Sequence, residues 1–135
     1  MSKGEEKIIT ILKKEKISFK REVIVPFLNG KKKVPLRYDF GIYIGKILCA
    51  LIEVDGIQHF KYIPKFYKNQ SDFRYRRGCD RKKNDWALKN NIPLYRIPYW
   101  ELENINNFKD IISSKFLVKN IYHNDIIIRE NFGGI

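Results

Sequence analysis

Three carboxylates and a histidine crowd into one stretch, PLRYDFGIYIGKILCALIEVDGIQH (residues 35–59): Asp39, then Glu53 and Asp55, then His59. Glu53 and Asp55 are two residues apart, so in an extended strand they leave the same side. Asp39 lies on what reads as the neighbouring strand and can face them. Carboxylates gathered at the end of a buried hairpin repel one another unless a cation lies between them. Hard oxygen donors of this kind, Asp39, Glu53 and Asp55, suit magnesium or manganese rather than zinc. The ordinary alternative is that acids at strand ends are solvated or paired with lysines, which this chain has in excess.

The elements that must position these groups follow from periodicity. Residues 35–44 alternate, with Leu36, Tyr38, Phe40, Ile42 and Ile44 on one side and Arg37, Asp39, Gly41 and Tyr43 on the other. Gly45-Lys46 reads as a two-residue turn. Residues 47–54 are apolar on both faces as far as Glu53, as befits a strand in mid-sheet. Residues 2–16 read as a helix opened by the capping box Ser2-Lys3-Gly4-Glu5, with Ile8, Ile9 and Leu12 as its apolar stripe. Glu5 can share that inward face or serve only as a cap in the positive field of the helix start. Residues 17–26 resemble a first strand, and 29–33 form a basic turn. After His59, lysines and arginines interleave with aromatics over 20 residues. Lys61, Lys65, Lys68, Arg74, Arg76, Arg77 and Arg81 are candidates to follow a phosphate backbone, while Phe60, Tyr62, Phe66 and Tyr67 pack on sugars or bases. The rings read equally well as an aromatic cluster under a long loop. Residues 71–91 have helical spacing, with Phe73, Arg77, Asp80, Asn84, Ala87, Leu88 and Asn91 on one broad face and Lys83 one turn beyond Asp80. Residues 92–98 give a fourth strand. A last helix is expected over 100–117, carrying Leu102, Ile105, Phe108, Ile111 and Ile112. The tail, 119–135, reads as either an added strand or a dimer contact.

The chain has 135 residues, enough for one hydrophobic core. Its net charge of +12 and pI near 9.7 favour a polyanionic partner, most commonly nucleic acid. No apolar run reaches the roughly 18 residues of a spanning helix, and the lysine-rich start lacks a signal core. Cys49 and Cys79 make neither a metal-ligand spacing nor a disulfide scaffold. An intracellular protein, cytoplasmic or in a nuclear or viral compartment of a host cell, is therefore expected.

Helix, three strands, helix, strand, helix is the order of the PD-(D/E)XK restriction-endonuclease-like core, an α/β (α+β) fold with a mixed four-stranded sheet flanked by helices (αβββαβα). The segments SKGEEKI, LRYDF, IEVDGIQHF and CDRKKNDWALKNNIPLYRIPY closely resemble small phage and viral nucleases of the EDxHD group. That group includes catalytic domains of some homing endonucleases and is related to very short patch repair endonucleases. The resemblance covers residues 2–105 and implies a nuclease domain over 1–118. Its signature positions fall on Glu5, Asp39, His59 and Asp80, with Glu53 as the (D/E) of the wider motif. Where the wider superfamily has a lysine two residues after that acid, this chain has Asp55, so His59 or Lys83 must do the lysine's work. The resemblance implies a Mg2+-dependent (or Mn2+-dependent) DNA endonuclease. Asp39 would be the principal ligand and Glu53 or Asp55 the second. His59 would orient or deprotonate water, Asp80 would hold His59 or a metal-bound water, Lys83 or Arg77 would contact phosphate, and Glu5 would support the site from the first helix. A homodimer is compatible with this reading. A non-catalytic nucleic-acid-binding module on the same fold and an RNA-directed nuclease are the alternatives.

Overall fold

The computed structural model describes residues 1–132. Helix α1 (Lys3–Lys14) is followed by strands β1 (Phe19–Asn29), β2 (Pro35–Ile44) and β3 (Ile47–Asp55), then helix α2 (Gln70–Lys89) and strand β4 (Leu94–Pro98). The strands form one mixed sheet in the order β1-β2-β3-β4, antiparallel except for the β3–β4 pair. The parallel pair needs a crossover, and α2 supplies it. The protein is thus an α+β domain with a four-stranded mixed sheet flanked by helices.

Helix α1 starts where the capping box expects: Ser2 Oγ accepts from Glu5 N at 3.1 Å and Glu5 Oε2 accepts from Ser2 N at 2.9 Å. The β2–β3 turn falls at Gly45-Lys46, with Gly45 at φ +60° as such a turn demands. One sheet face carries Phe40, Ile42, Ala50, Ile52 and Ile97 against Ile8, Ile11 and Leu12 of α1. The other carries Val23, Val25, Tyr38, Leu51 and Leu94 against Ala87 of α2. Each well-buried aliphatic or aromatic side chain contributes about 1.5–3 kcal/mol, which offsets the burial of charge described below.

Three sequence expectations change. The alternation along 35–44 does not run through. Tyr38 belongs to the α2 face but Phe40 and Ile42 to the α1 face, and Ile44 is exposed. The partner strand changes face at the same rung, with Phe19 on the α1 side and Val23 on the α2 side. Glu22, at φ +51°, and Asp39 occupy the rung where both strands turn over. The expected helix over 100–117 is instead broken into a 3-10 turn (Tyr99–Asn104), the one-turn helix α3 (Phe108–Ile111) and a second 3-10 turn (Ser114–Phe116). Asn107 Oδ1 accepts from Asp110 N and Ser113 Oγ from Lys115 N, so these side chains cap new turns where a continuous helix would need bare backbone. Ile105, Ile111 and Phe116 still reach the α1-side core. The tail forms helix α4 (His123–Phe132), not a strand, and residues 133–135 lie outside the described residues. Three consecutive isoleucines favour strand locally, but tertiary contacts from Asn124, Asp125 and Ile128 decide otherwise.

Candidate active site

Alternation fixes which face the polar residues take. Leu51 points toward α2, so Glu53 and Asp55 follow it; Leu94 does the same, so Arg96 follows on β4. All three are buried, at 2%, 1% and 1% exposure. Buried charge demands partners, and α2 brings them. Arg96 Nη1 donates to both oxygens of Asp55 at 2.9 and 3.1 Å, its Nε to Asn84 Oδ1 at 2.7 Å and its Nη2 to the Asp80 carbonyl at 3.2 Å. Lys83 Nζ donates to Glu53 Oε1 at 2.6 Å. Burial alone would raise the Glu53 carboxyl, but Lys83 and Arg96 outweigh it and hold Glu53 ionised below its usual range.

The kink in β2 turns Asp39 toward Glu53. One Asp39 oxygen accepts from Val54 N at 2.8 Å, in place of a ladder bond. The carboxyl also lies within hydrogen-bonding reach of Glu53. Burial, and then the Glu53 charge, push Asp39 up to about 10, so at neutral pH it keeps its proton and donates it to Glu53.

His59 sits in the short 3-10 turn after β3 (Ile57–His59). Its Nδ1 lies 3.0 Å from Asp80 Oδ2 and 3.5 Å from Asp55 Oδ1. Burial pulls the imidazole down, but Asp80 and then Asp55 more than reverse this and raise it to about 9. His59 is therefore a cation at neutral pH, with Nδ1 bound to Asp80 and its edge on the cleft. Asp80 is correspondingly held far below the carboxylate range: burial raises it, and His59 and Arg96 lower it further.

One cleft of about 570 Å³ is lined by Glu5, Asp39, Glu53, His59, Asp80 and Lys83, the six residues expected to be catalytic. They come from α1, β2, β3, the turn after β3 and α2. Glu5 reaches the rim because α1 approaches β3 closely at Gly4, where a Cβ would come within 2.9 Å of Val54 Cγ1. Glu5 also does the capping work that the sequence offered as its alternative role. Arg37, Tyr67, Tyr75 and Arg76 add to the lining.

Other expected residues are placed elsewhere. Asp55 does not line the cleft; its oxygens accept from Arg96 and from Asn124 Nδ2 at 3.3 Å. Arg77 and Arg81 are both engaged with the last helix. Asp125 of α4 accepts from Arg77 Nη2 at 2.6 Å and from Arg81 Nε at 2.7 Å, clasping α4 to α2. Lys65, Lys68, Arg74 and Arg76 are exposed, and Lys61 lies over the Phe132 ring at 4.8 Å. Among the aromatics, Phe60 is fully buried beside Trp100, whereas Tyr62 and Tyr67 pack with Phe73. Phe66 alone of the four is an exposed ring, at 50%.

Arg96, Asn84, Asn124 and Arg37 were not singled out by sequence. The signal for Arg96 was available: an arginine between apolar neighbours in a short strand, spaced by two from a leucine that must be buried.

Asp39 and Glu53 offer a hard divalent cation two carboxylates, which is what magnesium commonly takes from protein beside water and phosphate oxygens. The fit requires Asp39 to give up its proton. Among the described residues no group of three or more His, Cys, Asp or Glu side chains is arranged to hold a metal ion.

No family model and no solved structure matches the chain. A 48-residue stretch is 40% identical to uncharacterized protein 307L of Invertebrate iridescent virus 6, covering 36% of this chain and 24% of that protein. Among the described residues, no helix is long and apolar enough to cross a membrane.

Proposed function

We propose that the protein is a metal-dependent DNA endonuclease built on a restriction-endonuclease-like core of the EDxHD kind. The observation that carries this reading is the convergence of Glu5, Asp39, Glu53, His59, Asp80 and Lys83, from five separate elements, on one cleft in a chain of net charge +12. A pure structural role does not explain why Asp39 and Glu53, both acids, are held against each other at the wall of that cleft.

A divalent cation bound by Asp39 and Glu53 would relieve charge on the phosphoryl oxygens and lower the pKa of a water. The chain's own groups do the rest. Glu53, fixed by Lys83, keeps one carboxylate ionised at all working pH. Lys83 adds a positive charge beside the phosphate position. His59, held by Asp80, presents a protonated edge that donates to a phosphate oxygen or protonates the leaving oxygen; this replaces the role of base expected from an unperturbed histidine. Arg37 and Arg76 on the rim hold the strand through its phosphates.

The absence, among the described residues, of a ready three-ligand metal group favours a second reading, a nucleic-acid-binding module that does not hydrolyse. The two separate in one experiment. Full-length protein is incubated with supercoiled plasmid and Mg2+ or Mn2+, with an EDTA control and an Asp39→Asn control. Nicked or linear product that needs both the metal and Asp39 supports the nuclease. Plasmid retardation without product under every metal condition removes it.

A further inference from the structure

Beside the cleft lies a second hollow of about 450 Å³. Gln58, Tyr67, Tyr75 and Arg76 wall both, so the two lie side by side, with Gln58 next in sequence to His59. The chemistry of the second is different. No carboxylate pair faces it; its walls are rings with cations around them. Phe66 presents a half-exposed ring, the kind of apolar surface a folded chain usually covers. Tyr75 supplies a second ring, anchored because its hydroxyl accepts from Lys31 N at 2.7 Å, with the Lys31 ammonium 4.2 Å from its centroid. Tyr67 donates to the Gln58 carbonyl at 2.7 Å and so fixes the backbone of Gln58. The Gln58 side chain folds over Gly56, where a Cβ would sit 2.5 Å from Gln58 Oε1. Neither the Gln58 amide nor the Asp72 carboxylate makes a side-chain hydrogen bond among the described residues.

We propose that this second hollow receives one unpaired nucleobase immediately beside the scissile phosphate, so that the substrate is a strand that is single or locally opened at the cut. The inference rests on the nuclease reading and names the substrate class for it. A base offers flat faces to Phe66 and Tyr75. Its edge carries donors and acceptors that suit an amide and a carboxylate, Asp72 accepting from an exocyclic amino group. Lys31 and Arg76 stand where the flanking phosphates would run. A base inside a duplex has both faces stacked and its pairing edge used, so the hollow cannot take it without opening the helix.

The test measures binding of the full chain in EDTA, which separates it from cleavage. Three labelled oligonucleotides are compared by fluorescence anisotropy: a perfect duplex, the same duplex with one bulged 2-aminopurine, and the same bulge made abasic. The bulged base is expected to bind about 5- to 100-fold more tightly than the abasic bulge, the range for stacking one base on an aromatic side chain, and its fluorescence to be quenched. Phe66→Ala is expected to remove that advantage and Phe66→Tyr to keep it; the exposure of Phe66 makes either change tolerable to the fold. Gln58→Ala should reduce the advantage independently. Equal affinity for base and abasic bulges, or an advantage that survives Phe66→Ala, overturns the proposal. Metal-dependent cleavage by wild type without any base preference sinks the hollow alone. Base preference without cleavage of any substrate sinks the nuclease and leaves the hollow as a binding site. Failure to bind any of the three overturns the hollow, and the nuclease is then decided by the plasmid assay alone.

Discussion

Asp39→Asn should make the metal-free protein more stable while abolishing cleavage. Asp39 is forced to hold its proton, up to about 10 against an ordinary 3.8, by burial and by the neighbouring Glu53 charge. A carboxyl raised on folding contributes its full share of stability only below the unfolded value, and that share is lost as pH rises toward the folded value. Holding that proton at pH 7 therefore costs folding at most about 4 kcal/mol, on the order of three tenfold steps at 1.36 kcal/mol each. Water at the mouth of the cleft screens part of this, so a gain of about 1–2 kcal/mol is expected on replacing the acid by its neutral isostere, or roughly 3–8 °C in Tm. Asparagine keeps the two contacts that matter, accepting from Val54 N and donating to Glu53. The sign has a pH signature: the advantage of Asn over Asp should be small near pH 4.5 and grow toward pH 9. Urea unfolding of both proteins in EDTA at several pH values measures it. An Asp39→Asn protein that is less stable than wild type at pH 8, or an advantage that does not grow with pH, refutes the picture of two acids forced together.

Three further outcomes follow from the same geometry. In EDTA, NMR titration of the imidazoles should place His59 near 9, and Asp80→Asn should move it down toward 6.5; an inflection at or below 6.5 in wild type would restore the neutral-base role. Arg96→Met should lower stability by about 3–5 kcal/mol, because Asp55 is left buried without its cation, and Asp55→Leu in the same chain should recover part of the loss; a change under about 1 kcal/mol contradicts this. Replacing Arg74 and Arg76 together by alanine should flatten the dependence of DNA affinity on salt with little change in Tm, whereas Arg77→Ala should lower Tm, since Asp125 loses one of its two arginines; the reverse pattern would return Arg77 to the binding surface.

Local chemistry made much of this legible. The capping box at Ser2 and Glu5, the Gly45-Lys46 turn and the apolar run ending at Glu53 each depend on neighbours in sequence, and each is where the sequence puts it. The face change at Asp39 was not legible, because it is shared with Glu22 on another strand and no single-strand pattern records it. Nor was the helical tail, whose isoleucines favour a strand until Asp125 meets Arg77 and Arg81, 48 and 44 residues away. The charge of His59 depends on Asp80, 21 residues on, so its unperturbed value misleads. The inward face of Arg96 was legible from its spacing of two from Leu94, but its partners Asp55 and Asp80 come from other elements and no local pattern records them.

That need also fixes what the site exchanges when it binds a metal. Glu53, Asp55 and Asp80 are matched by Lys83, Arg96 and His59 in direct ion pairs. Asp39 makes no ion pair among the described residues, and the proton it shares with Glu53 relieves the repulsion between these two acids. A divalent cation can enter between these two carboxylates only by displacing that proton. The exchange adds one positive charge at these two carboxylates, beside the position proposed for the phosphate. Binding of Mg2+ or Mn2+ should therefore release close to one proton at pH 7–8, and affinity should rise about tenfold per pH unit while Asp39 remains protonated. Calorimetric titrations in two buffers of different ionisation enthalpy measure the release directly, and Asp39→Asn should abolish it together with most of the affinity. Metal binding that is independent of pH between 6 and 8, with no proton released, would mean that the cation is held elsewhere and that Asp39 and Glu53 are not its ligands.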